Sequence, residues 1–305
     1  MKTLVVGAAI IDMIMKIEKL PKSGEDVLCQ EKKVVIGGCA YNVASTLQNL
    51  GVEHELCVPV GTGMYADLIA DELKQKGYHI LIKDQNQDNG YCLCLVEADG
   101  ERTFITMQGC EGEFRGEWFE NLDMEQYQNI YIAGYQVCGV SGNAVAGWLQ
   151  KLQEKNIYFA PGPVITTIEK NVMNQILSVH PILHLNEKEA FDFTEQSTIE
   201  KCLTALYERT QNLVLVTLGE KGTIYYEGKQ AHTVPSWPAK VADTIGAGDS
   251  HIAAVIGGIS NGLNLDESIE LANHVASEIV GVQGPTMTKE EFTEKMRKWE
   301  EKDYE

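Results

Sequence analysis

The sequence predicts an α/β fold, a central and mostly parallel sheet covered by helices on both faces in three α/β/α layers. Three observations lead there. Short β-rich runs alternate with amphipathic helical stretches along most of the chain. Several of those runs are apolar at nearly every position, as strands buried on both faces are. Polar or glycine-rich loops follow the runs directly, which is where ligands bind in open α/β sheets.

Taken in order, the opening MKTLVVGAAIIDMIMKI carries one lysine and then an apolar run of roughly ten residues without a small-residue cleavage site, so it reads as a buried strand beginning at 4–6. Helical periodicity over 40–50 follows, then the strand-like HELCVPV, then a helix over 66–76 that stops at Gly77. NIYIAGY, IYFAP, ILHL and LVLVTLG are the next strands, with helices predicted over 143–154 and 169–177 between them. The last third is more helical, over 247–260, 266–280 and 289–300. Two segments break the alternation and read as antiparallel ribbon: DVLCQEKKVVI, and GYCLCLVEADGERTFITM folded about the Asp99-Gly100 turn. With no repeat and no Pro/Ser-rich linker, we expect a single domain over 1–305 with a small β lid inserted at about 13–36 and 90–108.

Composition narrows the function. The 305 residues include 25 basic and 44 acidic side chains, a formal net charge of −19, which argues against nucleic acid as a partner because phosphate backbones are held by clustered Lys and Arg. At 44% hydrophobic and 23% charged, the chain has ordinary globular composition. No run reaches the roughly 18 apolar residues of a membrane span. The eight cysteines (29, 39, 57, 92, 94, 110, 138, 202) contain no C-x-x-C pair and read as small buried thiols of a reducing, cytoplasmic compartment. Cys92 and Cys94 share a strand face but have no further ligands nearby for zinc.

Four local patterns carry chemistry. In Asp243-Thr-Ile-Gly-Ala-Gly-Asp249, the small residues Gly246, Ala247 and Gly248 let backbone N–H groups approach an anion at a helix start, and Asp249 stands beside it to take a proton. Taken alone, the run reads equally as a glycine turn with an acidic cap. In GGCAYNVA, Gly37 and Gly38 let a substrate lie against the main chain, and the Asn42 amide both donates to and accepts from hydroxyls. Asp12 adds an acceptor-only carboxylate past the first strand, although a turn residue is the commoner meaning of such an aspartate. The loops NEKE (186–189) and TLGEKG (217–222) follow strands on the same sheet edge, and neither is specific alone.

Together and in this order, the patterns resemble the ribokinase-like (PfkB) family of carbohydrate and nucleoside kinases over essentially the whole chain. GGCAYNVA is similar to that family's N-terminal signature and DTIGAGD to its C-terminal one, with about two hundred residues between them. The resemblance implies a ribokinase-like fold, Asp249 as catalytic base, and an anion hole from Gly246, Ala247 and Gly248. It implies acceptor binding by Asp12, Gly37, Gly38 and Asn42. Asn186 and Glu189 match an N-x-x-E motif of the Mg2+ and phosphate environment, with Glu189 acting through water. Thr217, Gly219 and Gly222 match the ATP-side loop, and Asn273 a residue lining the adenine pocket. Asp243 and Thr244, with backbone near 281–284, correspond to a monovalent-cation loop, so K+ activation is a further implication, as is a homodimer through the lid.

Three departures bear on substrate. His251 stands where an aromatic is common and reads as a satisfied packing histidine; Gln136 lies near a place for an acidic acceptor contact; FAPGP at 159–163 lacks an acidic residue. The leading expectation is an ATP-dependent kinase acting on a primary hydroxyl of a small sugar or sugar derivative. A nucleoside kinase, pseudouridine included, is the alternative, with Tyr41, Tyr91, Phe104 and Met107 available to stack on a base or merely to pack the lid. A non-catalytic sugar- or nucleotide-binding regulator is the reading of another class. An NAD-dependent oxidoreductase is disfavoured because GAAIID, not G-x-G-x-x-G, follows the first strand.

Overall fold

The computed structural model describes residues 1–152 and 154–302. Gln153, near the end of the helix expected over 143–154, and residues 303–305, the last of the expected single domain, lie outside the described residues. The strands are β1 (Thr3–Val6), β2 (Ile10–Lys16), β3 (Glu31–Gly37), β4 (His54–Cys57), β5 (Pro59–Val60), β6 (Ile82–Lys83), β7 (Tyr91–Val96), β8 (Arg102–Met107), β9 (Asn129–Ala133), β10 (Asn156–Ala160), β11 (Ile182–Asn186), β12 (Val214–Thr217), β13 (Thr223–Glu227) and β14 (Gln230–Val234). The helices are α1 (Cys39–Asn49), α2 (Met64–Gln75), α3 (Gly142–Leu149), α4 (Lys170–Leu177), α5 (Glu187–Thr194), α6 (Ile199–Thr210), α7 (Ala247–Ser260), α8 (Leu265–Ile279) and α9 (Lys289–Lys302).

Eight strands form the central sheet in the order β14-β13-β12-β11-β10-β9-β1-β4. Pairing is parallel from β4 through β12, and β13 and β14 extend it antiparallel. The alternating side chains of each strand enter two separate cores, as the pleat requires. Val5, Tyr131, Tyr158 and Leu215 pack with α1, α2, α7, α8 and α9 on one face. Leu4, Ile132, Phe159 and Val216 pack with α3, α4, α5 and α6 on the other. The three-layer expectation holds.

The opening apolar run divides differently from the expectation. It breaks at residues 7–9 into β1, in the central sheet, and β2, in a second four-stranded sheet of order β3-β2-β7-β8. β2 pairs antiparallel with β3 and parallel with β7, and β7 and β8 form the hairpin foreseen around Asp99-Gly100. Asp12 therefore lies within a strand of the small sheet, opposite Val35, and is not a turn residue. HELCVPV is also two strands, β4 and the short β5 that pairs with β6. Val34, Phe104, Ile105 and Met107 of the small sheet are exposed. All eight cysteines are free thiols. Among the described residues no helix is long and apolar enough to cross a membrane.

Candidate active site

Because β1 and β9 through β12 run parallel, their carboxyl ends share one edge, and β1 is where the chain order reverses, with β4 on one side and β9 on the other. Such a switch point opens a crevice in any doubly wound sheet. Two cavities lie along this edge. One of about 200 Å³ is lined by Tyr135, Asn186, Glu189, Gly246 and Asp249 among others. The other, of about 620 Å³, is lined by Gly219, Gly222, Trp237, Thr244, Ala247 and Asn273 among others. Thr217 and Gly248 line both, so the two chambers meet at the start of α7.

The meeting point is built by backbone geometry. Gly246 caps α7 in the left-handed region at φ 76°, and a side chain there would put its Cβ 2.4 Å from the Pro285 carbonyl oxygen. Glycine alone fits, and at the start of α7 the Ala247 N–H makes only a long bond to the Thr244 carbonyl (3.4 Å), so the helix start still offers N–H donors to an anion. Asp249, in the first turn of α7, accepts a hydrogen bond from Asn42 Nδ2 on α1 at 2.8 Å. Burial pushes its carboxyl up to about 6, against the hydrogen bonds of Asn42 and the Cys39 thiol, while Glu189 adds a smaller upward push. A carboxyl in that range is poised to exchange a proton near neutral pH.

The opposite wall comes from the β3–α1 junction. Gly38 is left-handed at φ 98° and would clash with the Ala8 carbonyl oxygen at 2.6 Å if it carried a Cβ. At Gly37 the missing Cβ leaves room for a functional group, since one added there would lie 1.9 Å from Asp12 Oδ2. Asp12 is raised to about 7 by burial first and by the charge of Asp249 second. Asn42 is buried, and its Oδ1 has no hydrogen-bond partner among the described residues. An acceptor left open beside two carboxyls suits a hydroxyl-bearing ligand, because a hydroxyl both donates and accepts.

On the other side, Asn186 caps α5 in a capping box. Its Oδ1 accepts from the Glu189 N–H (2.8 Å), and Glu189 accepts from the Asn186 N–H (3.0 Å) and from Asn186 Nδ2 (2.7 Å). Burial raises the Glu189 carboxyl. Gly222, at φ 95°, packs against the Val234 carbonyl oxygen, so the β12–β13 turn is tight enough to floor the larger cavity. The Asn273 side chain is held by donating to the Val234 and Pro235 carbonyls and by accepting from Thr223 Oγ1 at 2.7 Å. His251 shares hydrogen bonds with His184 (2.9 Å), Thr223 (2.8 Å) and Asn273 (3.1 Å), and burial lowers it to about 4. It is the satisfied histidine expected, although it also lines the larger cavity. Asp243 is buried beside the cradle and accepts from the N–H groups of Ile245 and Gly284, while Thr244 faces the larger cavity.

Several residues of the site escape the sequence reading. Cys39, by sequence an inert small thiol, touches the Asp249 carboxyl. Its place between Gly38 and Asn42 is a usable signal. His184 is also findable, as the one polar side chain inside the otherwise apolar ILHL. Tyr135 and Pro163, which line the smaller cavity, carry no signal of their own.

Comparison with known proteins gives one consistent answer. The model of the pfkB family carbohydrate kinases matches residues 1–291. The chain is 35% identical over 285 residues to the Uncharacterized sugar kinase YegV of Escherichia coli K12, covering 92% of this chain and 89% of that one. Among solved structures it is similar to adenosine kinase from Sinorhizobium meliloti, with a TM-score of 0.84 at 21% identity over 97% of this chain and 98% of that one. Ribokinase from Thermotoga maritima gives a TM-score of 0.83 at 22% identity, with coverage of 97% and 98%.

Proposed function

The chain belongs to the pfkB family of carbohydrate kinases, phosphotransferases with an alcohol acceptor, and from that premise we propose that it moves the γ-phosphoryl group of ATP to a primary hydroxyl of a small sugar or sugar derivative, with Asp249 as general base. The observation that carries this reading is the position of Asp249. It lines the smaller cavity directly after Gly248, which lines both, one residue beyond a glycine cradle for anions and within hydrogen-bond distance of Asn42 on the facing helix.

In this scheme ATP lies in the larger cavity, with its γ-phosphate against the Gly246, Ala247 and Gly248 amides. The acceptor lies between Asp12, Gly37, Gly38 and Asn42. Asp249 takes the hydroxyl proton as the oxygen bonds to phosphorus; the bond to the bridging oxygen breaks and ADP leaves. The cradle steadies charge spread over the transferring group, and positioning supplies the rest. Mg2+, when bound with ATP, neutralises phosphate charge. Among the described residues no group of three His, Cys, Asp or Glu is arranged to hold a metal. Both Glu189 oxygens already accept from Asn186, which suits a contact through water. The small sheet bears Asp12, so its closure over the acceptor would exclude water and suppress ATP hydrolysis.

The 35% identity to a protein named as a sugar kinase supports a sugar over a nucleoside. ADP release from Mg-ATP, measured against pentoses, hexoses, amino sugars, ribonucleosides and pseudouridine, tests the reading. One sugar far above background is expected. Response to a nucleoside alone would move the acceptor class, and background release with every acceptor, while ATP binds, would replace the kinase with a ligand-binding regulator.

A further inference from the structure

One contact beside the cradle has no part in the transfer scheme. Arg102 opens β8, directly across the hairpin from Val96, and its guanidinium donates to Asp243 Oδ1 at 2.6 Å. The two side chains are only 19% and 5% exposed, so the pair is nearly closed off from water. Asp243 also accepts from the Ile245 N–H at 2.8 Å and from the Gly284 N–H at 3.1 Å. Ile245 immediately precedes Gly246, the cap of α7, and Gly284 immediately precedes Pro285, whose carbonyl packs on Gly246. Asp243 thus ties together both strips of backbone that shape the cradle, and Arg102 ties Asp243 to the small sheet.

The family resemblance places a monovalent cation at this carboxylate. The donor set does not suit one. A cation needs free acceptor oxygens, whereas the Asp243 carboxylate already takes three N–H donors, one of them fully charged. The neighbouring Val280 carbonyl is likewise engaged, by the N–H groups of Ala242 (2.7 Å) and Asp243 (3.0 Å). A second positive charge would have to sit against the guanidinium in a poorly solvated site, where repulsion is screened least.

We propose that Arg102 stands in for a monovalent cation at Asp243, so that the small sheet itself completes the loop shaping the phosphate cradle and turnover needs no added K+. The inference rests on the kinase reading above for its effect on turnover, though not for its effect on cation binding. Arg102 is a positioning residue: it acts on the transferring phosphate through Asp243 and the Gly246 backbone. It also makes the cradle sensitive to where the small sheet stands, since a displaced β7–β8 hairpin would carry the guanidinium away from Asp243.

The test compares the wild-type protein with Arg102→Ala and Arg102→Lys, with K+, Na+ or tetramethylammonium as the monovalent cation at constant ionic strength. Thallium(I) binding is followed by calorimetry on the same samples, and melting curves report folding. Wild-type turnover should be the same in all three salts, with no thallium binding. Arg102→Ala should lose about tenfold or more in kcat in tetramethylammonium, the scale of a charged hydrogen bond. It should recover with K+ or added guanidinium and should bind thallium; Arg102→Lys should stay close to wild type. Wild-type activation by K+, thallium binding by the wild type, or an alanine variant that neither cation restores would overturn the proposal. If the wild type turned over no acceptor at all, the kinase reading would fail while the thallium titration still decided the role of Arg102. Should the alanine variant not fold, wild-type thallium binding and the lysine variant carry the decision.

Discussion

Replacing Asp249 with asparagine separates a working acid from a structural one, because the two predict opposite changes in stability. The folded protein holds this carboxyl at about 6 against an ordinary value of 3.8, so ionising it inside the fold is unfavourable. The gap between the two values corresponds to about 3 kcal/mol. The sign follows from proton binding: between the two values the folded state holds more protons than the unfolded one, so stability falls as pH rises through that window and stays lower above about 6. An asparagine at this position has no charge to bury and can still accept from Asn42. Asp249→Asn should therefore gain up to about 3 kcal/mol at pH 8, visible as a melting temperature higher by roughly 5 °C, and gain nothing near pH 4. Turnover should fall by orders of magnitude while ATP and acceptor still bind, because removing a positioned base costs typically about 10²–10⁴-fold. Thermal melts at the two pH values, ADP release and titration calorimetry measure the three quantities. Near-wild-type turnover, or a shift in melting temperature equal at both pH values, would refute the reasoning.

Three further outcomes follow from the same geometry. Asn42→Ala removes the hydrogen bond that holds Asp249 down, so the acid limb of kcat/KM should move up by about one to two pH units, the worth of a hydrogen bond to a charged group; a limb that stays at the wild-type pH counts against Asp249 as the titrating group. Gly37→Ala puts a Cβ 1.9 Å from Asp12 Oδ2, and steady-state kinetics should show a raised KM for the acceptor with the KM for ATP unchanged. Gly246→Ala forces both a left-handed alanine and a contact with the Pro285 carbonyl, so denaturant unfolding should show a loss above about 1 kcal/mol together with lowered kcat.

The fold is legible because parallel strands buried on both faces must be apolar throughout, and β9 through β12 announce themselves that way. The opening run misleads for the same reason. IIDMIMK is nearly as apolar as a central strand, yet in β2 only Ile11 and Ile14 are buried, and only the break at Gly7 marks the change of sheet. The α5–α6 pair and the β13–β14 hairpin leave weaker traces. α5 starts inside the NEKE run, whose polar residues speak first for chemistry, and QAHTV is too exposed to show a buried pattern. The glycine cradle and Asp249 are legible since a helix start and its anion chemistry are local. Arg102 is not. Its partner is 141 positions away, and only the hairpin register brings the two together.

The charge of the chain poses a problem that the site solves locally. In the proposed scheme, a protein with net charge −19 binds a polyanionic nucleotide close to Asp12, Glu189 and Asp249. Charges on the far surface matter little, since solvent screens them within about 8 Å at physiological salt. What remains is the immediate surroundings, and there most of the carboxylates are muted, each in its own way. Burial pushes Asp12 up to about 7, so near neutral pH it is protonated about half of the time, and pushes Asp249 up to about 6, so only a minor share of it is protonated there. Glu189 is turned onto Asn186. Asp243 is matched by a full positive charge from Arg102. With Asp12, Glu189 and Asp243 muted, the α7 amides and helix dipole counter the remaining charge of Asp249, which near neutral pH is largely ionised and ready to take a proton. Removing Arg102 would then do more than loosen the loop. It would expose the phosphate to an uncompensated carboxylate, and ATP affinity should weaken together with turnover.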